Sequence, residues 1–343
     1  MPLIENKREF LARTLRGLGI VGLLEQLARR PGLLVLTYHR IGDPSKSPYY
    51  APVASATPEA LEAELAALRR THRVIGVEEA ADVMDRGLPT KEPLALVTFD
   101  DGYRDNFEAA LPILKSQSVP AIFFLPTAFI SAPRLTWWDH IAYVVNTTSV
   151  SLLRLDWPKA LEINLEQTSR REAIAHIVQM YLARQVSDEL QFRKMLEGRA
   201  GVEVDEEKLG RSLFMSWAEA RLLQAAGMSI GSHGHSHRAL SGLSEAEQRA
   251  DLVESRRILQ HQLGRDVVAL AYPYGWQGTY DDITTNLARE AGYRLAFTSI
   301  EGINRPRASN PHALQRLGVG YADSPLVHRT RWALREAFGR SFV

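Results

Sequence analysis

The sequence contains no cysteine in 343 residues, which excludes both a disulfide scaffold and a thiolate zinc site. It has no excess of either charge. Its 41 Lys and Arg stand against 40 Asp and Glu, for a net charge of +1, and this offers no electrostatic case for binding nucleic acid. It has no internal repeat or low-complexity tract, and no long apolar run. The most apolar stretch near the start, Met1 to Arg30, is broken by Arg13, Arg16 and Glu25, with no small-residue cleavage site behind it. That pattern fits neither a signal peptide nor a bilayer span. A cytoplasmic location is therefore the expectation.

In the same stretch Phe10, Leu11, Leu15, Leu18, Ile20, Val21, Leu23, Leu24 and Leu27 alternate with Lys7, Arg8, Arg13, Arg16, Arg29 and Arg30. Residues 1–30 thus read as a basic amphipathic helix. It either packs on the domain that follows or makes peripheral contact with an anionic inner membrane face.

Hydrophobic residues make up 45% of the chain, ample for a large core. From residue 31 to 343 short apolar runs alternate with helical patterns. Strands are expected at Leu33–Thr37, Arg73–Val77, Leu94–Phe99, Ala121–Leu125, Met228–Gly231, Val267–Tyr272, Leu295–Thr298 and Leu314–Val319. Thr57-Pro58 starts a helix running to Arg70, Phe107–Ser116 forms another, and Ser244 with Glu247 is a capping box. Strands separated by helices pair in parallel with right-handed crossovers. Seven or eight such units argue for an α/β barrel rather than an open sheet. The rhythm breaks at about 136–216, where only Ser151–Leu155 has strand character and Ser169-Arg170-Arg171-Glu172 caps a helix. That region reads as a mostly helical insertion. Trp137 and Trp138 open it, either as core or as a surface on which a sugar stacks.

Two clusters carry chemistry. Thr98-Phe99-Asp100-Asp101-Gly102-Tyr103 follows the run Leu94–Val97. Adjacent carboxylates at the end of a buried strand are costly, unless a cation needs a ligand or one of them must move a proton. Taken alone, the pair could equally be a solvated turn. The second cluster is Ser232-His233-Gly234-His235-Ser236-His237, which holds three of the ten histidines. Histidine with carboxylate suits zinc or a neighbouring first-row ion. His233 with His237, or His233 with His235, could supply the imidazoles, and one Asp with two His leaves positions open for water and substrate.

These residues resemble the motifs of carbohydrate esterase family 4, the NodB-like polysaccharide deacetylases. Thr98–Gly102 is similar to the first motif, Gly231–His237 to the second, and Ala271-Tyr272-Pro273-Tyr274-Gly275 to the third. The resemblance implies a distorted (β/α) barrel of about seven strands and metal-dependent hydrolysis of N-acetyl groups on an oligo- or polysaccharide. It implies that Asp101, His233 and His237 hold a divalent metal, most naturally Zn, with Co, Ni or Fe as alternatives. It further implies that Asp100 is the base that takes the proton of the attacking water, that the Tyr274 N–H holds the oxyanion, and that Pro273 and Tyr274 line the substrate.

The chain departs from the family pattern twice. Ala271 stands where an arginine usually orients the base, so Arg316 is the replacement to expect. The late Leu-x-His motif that supplies a general acid is missing. His39, after Leu36-Thr37-Tyr38, resembles the early acid of a permuted subgroup acting on poly-N-acetylglucosamine, with Asp43 as its potential partner. Two alternatives stand beside this reading: another metal amidohydrolase built on His233-Gly234-His235, and a carbohydrate-binding protein with a decayed site.

Overall fold

In a computed structural model, the described residues are 2–27, 32–88, 90, 92–183, 186 and 188–338. The strands are β1 (Gly32–Tyr38), β2 (Arg40–Ile41), β3 (Ala54–Ala56), β4 (Arg73–Val74), β5 (Pro93–Phe99), β6 (Ala121–Leu125), β7 (Leu152–Leu155), β8 (Leu161–Asn164), β9 (Ser229–Ser232), β10 (Ala269–Ala271), β11 (Leu295–Phe297) and β12 (Leu317–Gly318). Seven of them form a parallel path in the order β11-β10-β9-β6-β5-β1-β12, with β4 covering the first half of one β5 edge and β6 the second. All seven residues of β1 are buried, as expected where helices cover both faces of a parallel sheet. Tyr38, Phe99 and Phe123 stack across β1, β5 and β6 at 5.3 and 4.8 Å between ring centroids.

The sheet curls into a half-barrel. Leu314 bridges to Phe297 of β11, and three residues later Leu317 pairs with Leu36 of β1. One short segment therefore draws the two ends of the sheet together, and Arg316 lies within it.

The helices are α1 (Pro2–Gly17), α2 (Ile20–Leu27), α3 (Pro58–Thr71), α4 (Val77–Met84), α5 (Leu111–Ser116), α6 (Thr127–Ser131), α7 (Trp137–Thr147), α8 (Arg170–Ala183), α9 (Glu189–Ala200), α10 (Glu206–Leu213), α11 (Trp217–Ala225), α12 (Glu245–Leu263), α13 (Asp282–Glu290) and α14 (Pro325–Phe338). Thr57 caps α3 and the Ser244–Glu247 box opens α12, both at the expected residues. The helix expected at Phe107–Ser116 begins instead with a widened π turn, Asn106–Ala110, before α5.

The single N-terminal helix of the sequence reading is two helices that pack on α14. Ala12, Val21 and Leu24 are buried, while Phe10 and Leu18 stay exposed. Arg8 lies 3.6 Å from Asp323, and Arg13 pairs with Glu9. With these basic side chains already matched by carboxylates, a membrane contact gains no support. Arg29 and Arg30 lie outside the described residues. Among the described residues, no helix is long and apolar enough to cross a membrane.

Two compact units emerge: Met1–Gly42 with Ser55–Ser131 and Phe214–Val343, and Asp43–Ala54 with Ala132–Leu213. The second overlaps the region at about 136–216 where an insertion is expected, and it also contains Asp43–Ala54. It holds a β7–β8 antiparallel hairpin, of which only the first strand was legible, and a core built from Ile141, Leu153, Ile163, Ile177, Phe192 and Leu196. Ser169 and Glu172 cap α8 as read.

Candidate active site

Strand β5 delivers Asp100 and Asp101 to the carboxyl ends of the parallel strands, where α/β folds place their sites. The Asp100 N–H donates to the Tyr38 carbonyl at 2.9 Å, extending the ladder by one residue. The chain then turns sharply: Asp101 has φ +70° and Gly102 φ +69°. Glycine suits position 102 because its positive φ strains any other side chain, and an added Cβ would also crowd the ends of the Ile130 and Leu125 side chains at 3.0 Å. Non-glycine residues at positive φ are uncommon and cluster where function demands them. His237 at +56° and Tyr274 at +63° share this feature with Asp101.

The loop after β9 brings the histidines to Asp101. His237 Nε2 lies 3.0 Å and His233 Nε2 3.3 Å from the same oxygen, Asp101 Oδ1. All three residues are buried, and their potential ligand atoms lie within 4.8 Å of one another. The Nδ1 of His233 is 2.7 Å from the Ala271 carbonyl. A carbonyl oxygen only accepts, so Nδ1 carries the proton. With Nδ1 occupied, His233 turns Nε2 toward Asp101 Oδ1. There it donates a hydrogen bond when the imidazole is charged, a state that Asp100 and Asp101 favour, and there it would offer a lone pair to a cation placed between them. The donor set and its tautomer thus fit a divalent metal, and a backbone carbonyl behind a ligating imidazole is the usual support.

Asp100 meets a different partner. Arg316, 1% exposed, donates Nη1 to Asp100 Oδ1 at 2.9 Å and Nη2 to Oδ2 at 2.8 Å, a two-pronged pair. Its Nε donates to the Thr298 carbonyl at 2.7 Å, which holds the guanidinium plane. Burial alone would raise the Asp100 pKa, but Arg316 and His233 outweigh it and hold the carboxyl below its usual range. Burial also opposes ionisation of Asp101, and hydrogen bonds from His233 and His237 override it, leaving that carboxyl well below its usual range. The two acids therefore share one strand end while facing different counter-charges.

His39 follows β1 at the same rim. Its N–H donates to Ser55 Oγ at 2.8 Å, and its carbonyl accepts from the buried Asn106 Nδ2 at 2.6 Å. Its charge is close enough to lower the pKa of both Asp100 and Asp101. The Asp43 carboxylate accepts from the N–H and hydroxyl of Ser45 and caps the turn that follows. Tyr274 sets its ring 5.3 Å from that of His237, edge to face, beside the buried Pro273.

Comparison with known proteins connects this geometry to a family. The family model of the polysaccharide deacetylases matches residues 87–296, well over half of the chain. The chain belongs to the polysaccharide deacetylase family. A relative provisionally named polysaccharide deacetylase YxkH, from Bacillus subtilis (strain 168), is 19% identical over 248 residues; the match spans 72% of this chain but only 59% of the relative. Among solved structures, IcaB from Ammonifex degensii superposes with a TM-score of 0.57 at 21% identity, covering 89% of this chain and 98% of that one. The Streptococcus pyogenes deacetylase PplD, solved with acetate, gives 0.56 at 19% identity, covering 87% and 96%. At these identities the superpositions establish the fold.

Within this candidate site, Ala271 supplies its carbonyl to His233, and the guanidinium on Asp100 comes from the sheet-closing segment. His235 is not part of the cluster: its Nδ1 lies 2.8 Å from Thr127 Oγ1, away from Asp101. Metal coordination through His233-Gly234-His235 loses its basis, because positive φ at Gly234 and His237 reverses the loop so that alternate histidines diverge. Trp137 and Trp138 lie in the second unit, where Trp137 stacks on Tyr181 at 4.3 Å and meets Trp138 edge-on.

One supporting residue escaped the sequence reading. Asp251 on α12 accepts the N–H of His235 at 2.7 Å with one oxygen, and the N–H and hydroxyl of Ser236 at 2.9 and 2.6 Å with the other. Its signal was polar residues on a buried helical stripe: Gln248, Asp251, Leu252, Ser255 and Leu259 are all buried. Asp251→Asn keeps the shape but turns a donor toward atoms that themselves donate. It should loosen the His233–His237 loop and weaken divalent-metal affinity by about 10–100-fold, read by chelator competition. Unchanged affinity would remove Asp251 from this role.

Proposed function

We propose that the protein is a divalent-metal-dependent hydrolase that removes N-acetyl groups from N-acetylhexosamine residues of a polysaccharide or of its lipid-linked precursor. The observation that carries this reading is the division of one carboxylate pair. Asp101 converges with two imidazoles on a common point, while Asp100, one residue earlier, is clamped by Arg316. A site that only bound metal would not need the second, separately oriented acid.

Asp101, His233 and His237 would hold the cation, with zinc the best match to this donor set and Co, Ni or Fe also compatible. When bound, the cation supplies Lewis-acid polarisation of water and of the amide carbonyl. The remaining roles fall to the chain itself. Arg316 occupies two of the four lone-pair sites of Asp100 and fixes its plane, leaving the others to accept the proton of the attacking water. His39, across the rim, donates a proton to the departing amine nitrogen. The backbone N–H of Tyr274 stabilises the oxyanion. Pro273 and Tyr274 flank the acetamide, whereas Trp137 packs against the core of the second unit and Trp138 is buried, so both serve as core rather than as a sugar surface.

An acetate-release assay on N-acetylglucosamine oligomers, comparing zinc-loaded, chelated and reloaded protein, tests this function. Release with the loaded protein, loss on chelation and recovery on reloading are expected. Absence of acetate from every amino-sugar oligomer and lipid-linked sugar, despite one zinc per chain, would overturn it and favour a binding protein with a decayed site.

A further inference from the structure

Trp276 is 52% exposed. A single exposed apolar side chain is ordinary, but the position and rigidity of this one are not. Its ring lies 5.1 Å from that of Tyr274 at an interplanar angle of 53°, and Tyr274 in turn lies 5.3 Å from His237. A run of aromatic contacts thus leads from the metal-ligand candidate His237 out to an open indole face.

The turn bearing that indole is over-determined. Tyr274 and Gly275 both have positive φ, at +63° and +69°. Gly275 donates to the Pro273 carbonyl at 2.7 Å and accepts from Ser299 at 2.8 Å. A Cβ on Gly275 would lie 2.7 Å from the Ser299 nitrogen, so no other residue fits. The Trp276 carbonyl accepts from both the N–H of Thr279, at 3.1 Å, and its hydroxyl, at 2.8 Å. Thr279 in turn accepts from the N–H of Ser241 at 3.1 Å. The local chain spends its hydrogen bonds on holding this segment, yet half of the largest side chain in it faces water.

We propose that Trp276 is a sugar-stacking platform adjoining the site, which takes the apolar face of a pyranose next to the residue being deacetylated. An indole offers a wide, flat apolar face at small conformational cost, together with an N–H that pairs at the rim. A rigid carrier keeps that face in place before the substrate arrives, which lowers the ordering cost of binding. The proposal rests on the deacetylase reading and sharpens it: the substrate is an oligomer in which a second ring is engaged, rather than an isolated amino sugar.

The test compares the parent with Trp276→Ala and Trp276→Phe on N-acetylglucosamine monomer and tetramer, in the zinc-loaded protein. Trp276→Ala should raise KM for the tetramer about tenfold, and lower the tetramer-to-monomer ratio of kcat/KM by the same factor. Trp276→Phe should restore most of that ratio. If both substrates suffer equally, or the tetramer KM is unchanged, the platform is overturned. Should the parent release no acetate from either substrate, the deacetylase reading fails and calorimetric binding of the tetramer decides the platform separately. Weaker binding to Trp276→Ala than to the parent supports it. Equal binding, or none to the parent, overturns it.

Discussion

Asp100→Asn should fold, hold zinc at one per chain, and lose turnover on N-acetylglucosamine oligomers by about 10²–10⁴-fold, the range a positioned general base contributes. Asp101→Asn should lose metal and turnover together. The contrast is clean because the two substitutions are chemically identical and adjacent. Asn tolerates the positive φ of position 101, so neither change strains the turn. They differ in what faces the carboxylate: Arg316 Nη1 and Nη2 at position 100, His233 and His237 Nε2 at position 101. Zinc content by elemental analysis and acetate release by a coupled assay separate the outcomes. An Asp100→Asn protein as active as the parent would end the proposed mechanism.

Arg316→Met should be the most destabilising change in the site, by about 3–5 kcal/mol, since it leaves a buried carboxylate without its counter-charge. Arg316 is 1% exposed and Asp100 2%, so water cannot replace the lost partner. Much of this cost belongs to the stranded charge of Asp100. Adding Asp100→Asn to Arg316→Met should therefore recover part of it, and a double-mutant cycle by urea titration should show strong coupling. Arg316→Lys preserves charge but loses the fork, so it should melt close to the parent and still turn over about 10–100-fold more slowly, the loss expected from a misplaced base. Additive losses for Arg316→Met and Asp100→Asn would mean that the pair contributes nothing jointly.

Much of the site was legible because its signals are local. The Asp pair ends an apolar run, and the histidines sit four apart in a short loop; both patterns are set by the period of a strand or the tightness of a turn. Capping residues placed α3 and α12 for the same reason. Expectations failed or thinned where the deciding contact is remote or where no side-chain pattern marks it. The strand β8 is four residues long and carries charge, with Leu161 and Ile163 as its only apolar positions. The segment Asp43–Ala54 falls with the second unit, which no composition shift announces. The amphipathic start of the chain looks the same in sequence whether its apolar face meets a bilayer or a helix 300 residues on. Its contact with α14 settles which face is already covered.

Residue type and short-range spacing suffice for the α/β alternation, the exclusion of thiolate chemistry, and the identity of the acids and imidazoles available for a site. Which acid faces which cation depends on how the strands are ordered in space. Arg316 lies 216 residues from Asp100 and reaches it because a short segment draws the ends of the curled sheet together. His39 joins them because β1 and β5 pair in register along seven residues. Such juxtapositions are properties of strand order and sheet curvature, and a linear pattern carries neither.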